Sequence, residues 1–271
     1  MLLILQSIII AIVEGLTEFV PVSSTGHMIL VGNLIGFTGE FANLFEVVIQ
    51  LGAILAVVVL YWDKLVKSVK DIFVPDRIGL KFWINIAVAA FPAAILGFLF
   101  NDFIDAKLFN PVTVAAALLV GGILMIIIEN KYRRGNKTKS VDNIKLRQSL
   151  IVGVFQCLSL WPGMSRSAST IMGGWIAGLS TVAAAEFSFF LAIPMMVGAS
   201  GFKLIKSQLI MSNIQIISLI IGFVVAFIVS LVVIEGFIKF LQKKPMRIFA
   251  IYRIIIGTIL LIMAFSNVIK L

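Results

Sequence analysis

Six stretches of this chain, approximately residues 43–62, 82–101, 111–129, 184–202, 213–234 and 248–268, are long and apolar. Each matches the roughly 20 residues an α-helix needs to cross a bilayer core. Of the 271 residues 61% are hydrophobic and only 13% charged, against about 25% charged in an ordinary soluble domain. No soluble globule of this size could hide so much apolar surface, so lipid must solvate most of the chain. A soluble enzyme, a nucleic-acid-binding module and a disordered regulator are excluded. The expected fold is an all-α integral membrane protein, one membrane domain over residues 1–271. The apolar start, Leu2 to Val13, lacks a basic leading region and reads as structure rather than a cleavable signal. One cysteine, Cys157, leaves no intrachain disulfide and no thiolate metal cluster.

Two further apolar regions are interrupted by polar strings. Residues 1–35 contain two acids, a proline and Ser-Ser-Thr-Gly-His; residues 148–180 contain Trp-Pro-Gly, Ser-Arg-Ser and Thr170. Irregular backbone at membrane depth is tolerated only inside protein or against a wet cavity. Both regions are therefore expected to be re-entrant segments, each of two short helices joined by a polar break. The net charge of +9 is spread over short loops and serves topology rather than nucleic acid. Loops 63–81, 130–147 and 235–247 carry five, seven and four Lys or Arg, against one and two in loops 101–110 and 203–212. The positive-inside rule puts the first three in the cytoplasm and both termini outside. The first broken segment then enters from outside and the second from inside.

That opposition matches a weak internal repeat. Glu14-Gly-Leu-Thr17, Pro21 and Ser23-Ser24 align with Gln156-Cys-Leu-Ser159, Pro162 and Ser165-Arg-Ser167, and Glu46 aligns with Glu186 at nearly the same offset. The reading is an inverted-topology repeat with halves of about 1–110 and 111–271, its seam within residues 105–147. Such a repeat places its site near the midplane, where the broken segments meet.

Glu14 and Glu18, spaced i, i+4, share one helix face within an apolar run, where ionised carboxylates are expensive and functional by default. Their repulsion calls for a proton or a cation between them, and a hard divalent ion bridged to phosphate oxygens meets that need. The single histidine, His27, follows Ser23, Ser24 and Thr25. It is a natural general acid/base, while the hydroxyls can be nucleophile, phosphate donors or helix caps. In the second break, Ser165, Arg166, Ser167 and Thr170 precede an apolar helical run. Hydroxyls, free N–H groups at a helix N-terminus and a guanidinium fork make a phosphate site. Together these are the parts of a phosphoryl-transfer centre with an apolar surround suited to a lipid tail.

The segments Glu14-Gly-Leu-Thr-Glu18-Phe-Val-Pro-Val-Ser-Ser-Thr-Gly-His27 and Pro162-Gly-Met-Ser-Arg-Ser-Ala-Ser-Thr170 resemble the paired signatures of the bacterial undecaprenyl-diphosphate phosphatases, the bacitracin-resistance family. The resemblance covers essentially the whole chain. It implies a multi-pass enzyme of the bacterial plasma (inner) membrane that removes the terminal phosphate of a polyprenyl diphosphate lipid. That reaction recycles the carrier for peptidoglycan synthesis and confers bacitracin resistance. It also implies dependence on a divalent cation, Mg²⁺ or Ca²⁺, and a site open to the outer face. Carried over, Glu14 and Glu18 hold the cation or polarise the attacking group. His27 is the base beside Ser24 or Ser23, and Ser165, Arg166, Ser167 and Thr170, with Thr25, grip the diphosphate. Whether Ser23, Ser24, His27 or a water attacks phosphorus stays open, as does homo-oligomerisation.

Two other readings compete with this one. The type-2 phosphatidic acid phosphatases share Ser-Gly-His and Ser-Arg strings but work with two histidines, and this chain has one. A polyprenyl-phosphate transporter or flippase would use the same plan of inverted repeats, yet needs only the anion clamp. Cys157, Met195 and Met196 are read as packing, Trp62, Trp83 and Trp161 as interfacial anchors. Gly121, Gly122, Gly173, Gly174 and Gly198 are read as sites of close helix approach. Glu46 and Glu186 are expected near the re-entrant tips.

Overall fold

The computed structural model describes residues 1–74, 78–133, 138–206 and 210–266. Of the basic loop residues used for topology, Arg77, Arg134 and Lys137 lie outside them, as do the last two residues of the span at 248–268. Among the described residues the regular structure is helical, apart from a single bridge between Thr138 and Leu179.

Among the described residues six helices are long and apolar enough to cross a membrane, at the six expected places. They are α3 (Glu40–Leu60), α5 (Ile78–Lys107), α6 (Pro111–Tyr132), α9 (Thr181–Lys206), α10 (Asn213–Lys243) and α11 (Arg247–Phe265). The 31 residues of α10 extend about 46 Å at 1.5 Å per residue, well beyond the ~30 Å hydrocarbon core. The chain is thus a multi-pass, all-α membrane protein. Between α3 and α5 the loop expected at 63–81 begins with a further helix, α4 (Trp62–Lys70), carrying Lys64, Lys67 and Lys70. Lys64 pairs with Asp142 at 2.9 Å, tying α4 to the short 3₁₀ turn Val141–Asn143.

Each interrupted region is a pair of short helices. The first is α1 (Leu2–Thr17) and α2 (Ser24–Ile35); the second is α7 (Leu146–Gln156), continued by a 3₁₀ turn to Leu160, and α8 (Arg166–Ile176). None of the four is long enough to cross the core alone. Both breaks end in the same local device. Ser23 and Ser165 are the only described residues other than glycine with positive φ, at 72° and 70°. Each caps the following helix, its hydroxyl accepting the N–H three residues on, Gly26 at 3.3 Å and Ala168 at 3.2 Å.

Helix α1 packs on α10 and α7 on α5, while α3 lies against α9 and α10, and α6 against α11. Small residues set the closest crossings: a Cβ on Gly122 would sit 2.9 Å from the Ala250 carbonyl oxygen of α11. The expectation for Gly198 is not met, since nothing lies within 4 Å of a Cβ there. One large cluster, around Phe187, Phe189, Trp175 and Ile171, fills the centre of the bundle. Phe91, Phe98 and Leu99 of α5, like Val232 of α10, stay exposed, as suits a face turned to lipid.

Candidate active site

The two breaks meet at Glu18. Its carboxylate accepts a hydrogen bond from the Ser24 hydroxyl at 2.7 Å and pairs through the other oxygen with Arg166 Nη2 at 3.1 Å. One side chain thereby joins the polar string of the first break to that of the second. Arg166 Nη1 donates to the carbonyl and the hydroxyl oxygens of Ser188 at 2.9 and 3.2 Å, while its Nε has no partner among the described residues. Thr170 Oγ1 donates to Ser188 Oγ at 2.7 Å, so α9 supports the guanidinium from behind. Ser167 Oγ donates to the Val20 carbonyl at 3.1 Å and lies 3.1 Å from Ser165 Oγ.

A cavity of about 160 Å³ opens between the breaks, lined among others by Glu18, Ser23, Ser24, Thr25, Ser165 and Arg166. The N-termini of α2 and α8 both start at its wall. Two helix N-termini and a guanidinium therefore border a space suited to an anion. Gln50 and Met196 also line it. Gln50 is a polar residue within an apolar span that the sequence reading passed over, and Met196, read as packing, forms wall. Thr25 and Gln50 border a second cavity as well, about 1070 Å³. That vestibule is bounded by Glu40 and Glu46 of α3, Asp102 and Asp105 of α5, and Lys203 and Lys206 of α9.

Four expected site residues do not line the inner cavity: Glu14, His27, Ser167 and Thr170. Ser167 and Thr170 stand behind the wall and hold it in shape. Glu14 is fully buried one turn before Glu18, and neither of its oxygens has a hydrogen-bond partner among the described residues. His27 turns away. Its Nδ1 lies 2.7 Å from the Ser23 carbonyl and its Nε2 lies 2.8 Å from the Tyr252 hydroxyl. A carbonyl can only accept, so Nδ1 carries the proton, and in the neutral ring Nε2 accepts from Tyr252. Both nitrogens are thereby committed away from Ser24 and Glu18. Glu46 faces the vestibule; Glu186, expected at the matching position, lies on α9 near Tyr61 and Lys64 and does not line the inner cavity.

Among the described residues no group of three His, Cys, Asp or Glu side chains offers a complete metal-ligand set. The two Glu14 oxygens without a partner among the described residues, buried beside Glu18 behind the cavity lining, are the feature that fits a cation. Arg253 is the largest omission of the sequence reading: fully buried in α11, it hydrogen-bonds to carbonyls of both breaks. A lone arginine inside an apolar run was the signal that could have found it.

Comparison with known proteins shows the family. The family described as bacitracin resistance protein BacA matches residues 7–259. An undecaprenyl-diphosphatase of Clostridium tetani is 73% identical over the full length of both chains. An undecaprenyl-diphosphatase 2 of Clostridioides difficile is 56% identical over 98% of this chain and 97% of its own. A third, from Caldanaerobacter subterraneus, is 47% identical over 99% and 98%. With matches that span all the site-bearing helices, the chain belongs to the bacitracin resistance protein BacA family.

Proposed function

We propose that this protein is an undecaprenyl-diphosphate phosphatase, releasing inorganic phosphate from a membrane-bound polyprenyl diphosphate and leaving the lipid monophosphate. The observation that carries this reading is Glu18, held between the Ser24 hydroxyl and the Arg166 guanidinium at the meeting of two helix breaks. Its full-length relatives bear the same activity in their names.

Substrate binding begins with charge. Arg166 and the N–H groups opening α2 and α8 take the diphosphate oxygens, Ser165 and Thr25 add hydroxyl contacts at the rim, and the apolar helix faces suit the tail. When the diphosphate enters, Arg166 shares its donors between Glu18 and phosphate. Glu18 then accepts the Ser24 proton, and Ser24 Oγ attacks the terminal phosphorus or orients the water that does. The lipid monophosphate departs; on the branch where Ser24 attacks, a water then hydrolyses the phosphoserine, releasing inorganic phosphate while the proton held by Glu18 returns to Ser24 Oγ. His27 serves this chemistry by holding the Ser23 turn, since its ring is engaged with Ser23 and Tyr252. A divalent cation held by Glu14 and Glu18 would neutralise charge on the diphosphate as it develops.

The protein is further proposed to sit in the bacterial plasma membrane with both termini outside and the vestibule opening outward. Support comes from the vestibule lining at the ends of α3, α5 and α9 joined by the poorly basic loops. The basic loops lie at the opposite helix ends.

The test is phosphate release from a long-chain polyprenyl diphosphate by purified protein in detergent, with Mg²⁺ and with EDTA, beside Glu18→Gln. Release that needs the metal and is lost in the variant is expected. A folded protein that binds the lipid and releases nothing under either condition would point instead to lipid transport.

A further inference from the structure

Two consecutive residues of α11 touch the helix breaks from outside, and the chemistry above uses neither. Arg253 is fully buried. Its Nη1 donates to the Pro21 carbonyl at 3.4 Å, and its Nη2 to the carbonyls of Gly163 and Ala117 at 3.2 and 3.3 Å. No salt bridge reaches it among the described residues. Its place is built for it, because a Cβ on Gly121 would collide with the guanidinium. A cation buried in a membrane bundle against carbonyls alone is expensive.

The pattern of its contacts suggests what it does there. Pro21 lies two residues before Ser23, and Gly163 two residues before Ser165. One guanidinium therefore grips both left-handed turns at matched positions. The preceding residue, Tyr252, acts on the first turn by a second route. Its ring stacks on His27 with centroids 5.4 Å apart, and its hydroxyl meets His27 Nε2, while His27 Nδ1 donates to the Ser23 carbonyl.

We propose that Tyr252 and Arg253 are positioning residues that set the separation of the two breaks, and so the placement of Ser24 and Glu18 against Arg166. The inference rests on the phosphatase reading. Arg253 is the fixed point between the breaks, and Tyr252 steers the first break through His27. Each break can still bind phosphate by its own groups when α11 is altered. What is lost is their relative placement, which matters when phosphorus is attacked, and a misplacement of about 1 Å can cost ~100-fold in rate.

The experiment measures kcat and KM for a polyprenyl diphosphate with full-length protein in detergent, alongside the thermal unfolding midpoint. The variants are Arg253→Lys, Tyr252→Phe, His27→Gln and the Tyr252→Phe/His27→Gln pair. Arg253→Lys keeps the charge but cannot span both carbonyls, and its kcat should fall at least ~30-fold with KM within ~3-fold. Tyr252→Phe keeps the stacked ring, should lower kcat roughly 10-fold, and should have no further effect in the His27→Gln background, since coupled groups are not additive. Folded variants with wild-type kcat, a change confined to KM, or independent losses from Tyr252 and His27 would each overturn the proposal. Should Arg253→Lys fail to fold, the Tyr252 and His27 cycle decides alone. Absence of release by the wild type would instead remove the phosphatase reading, so the two failures are distinguishable.

Discussion

Ser23 and Ser165 hold φ near +70°, a region that costs an L-residue about 1–2 kcal/mol. The hydroxyl repays part of that by capping α2 or α8, a contact worth roughly 1 kcal/mol. Two contributions of opposite sign make a test at Ser23. Ser23→Gly loses the cap and relieves the backbone, whereas Ser23→Ala loses the cap and keeps the strain. The glycine variant should be the more stable by about 1 kcal/mol in thermal unfolding; equal midpoints would show that the turn is unstrained. Arg166 is tested on turnover, since its loss removes both the phosphate clamp and the partner of the buried Glu18 carboxylate. Arg166→Ala is expected to cut turnover at least ~100-fold, the scale of losing a principal electrostatic donor. Ser188→Ala should have a smaller effect, roughly 10-fold, because Nη1 keeps the Ser188 carbonyl. Near-wild-type turnover of Arg166→Ala would remove the phosphate-clamp argument.

At the scale of the element, what could be read in the sequence followed the strength of the physical signal. Six apolar runs predicted six helices because lipid leaves an apolar chain no other choice. The same runs misjudged helix ends: α5 continues through Asn101, Asp102 and Asp105 to Lys107, since backbone hydrogen bonding carries a helix past the point where its side chains stop being apolar. Helix α4 carries no apolar run, so nothing in its sequence separates it from the loop expected at 63–81. Both breaks were legible from Pro21 and from Pro162 with Gly163. The direction of His27 was not, because spacing puts a residue near a site without saying which neighbour its ring meets. Likewise nothing local in the sequence ties Ser188 to Arg166, 22 residues away. Gly163 shows how tightly the second break is built: its φ is +97°, and a Cβ there would lie 2.5 Å from the Val114 carbonyl oxygen of α6. Gly163→Ala should therefore displace the Pro162–Arg166 turn, lowering both the unfolding midpoint and turnover. Unchanged values for both would show that α6 yields to the added methyl.

For the whole molecule, the placement of charge and the placement of the cavity are separate observations that can be set against each other. Lys and Arg concentrate in loops 63–81, 130–147 and 235–247, at one end of the long helices. There Lys64 meets Asp142, Arg133 donates to the Lys244 carbonyl, and Arg247 donates to Asn130. The vestibule opens at the other end, between the Glu40 end of α3 and the Lys107 and Lys206 ends of α5 and α9. On the orientation proposed above, with the basic loops on the cytoplasmic side, the vestibule and any lipid phosphate entering it would belong to the outer leaflet. Cys157 is the only cysteine, and a Cys157→Ser background makes the orientation directly measurable. Asp105→Cys at the vestibule rim should react with a membrane-impermeant maleimide in intact cells. Lys243→Cys, at the basic end of α10, should react only after permeabilisation. The reverse pattern would turn the molecule over and move phosphate release to the cytoplasm, whatever the site residues do.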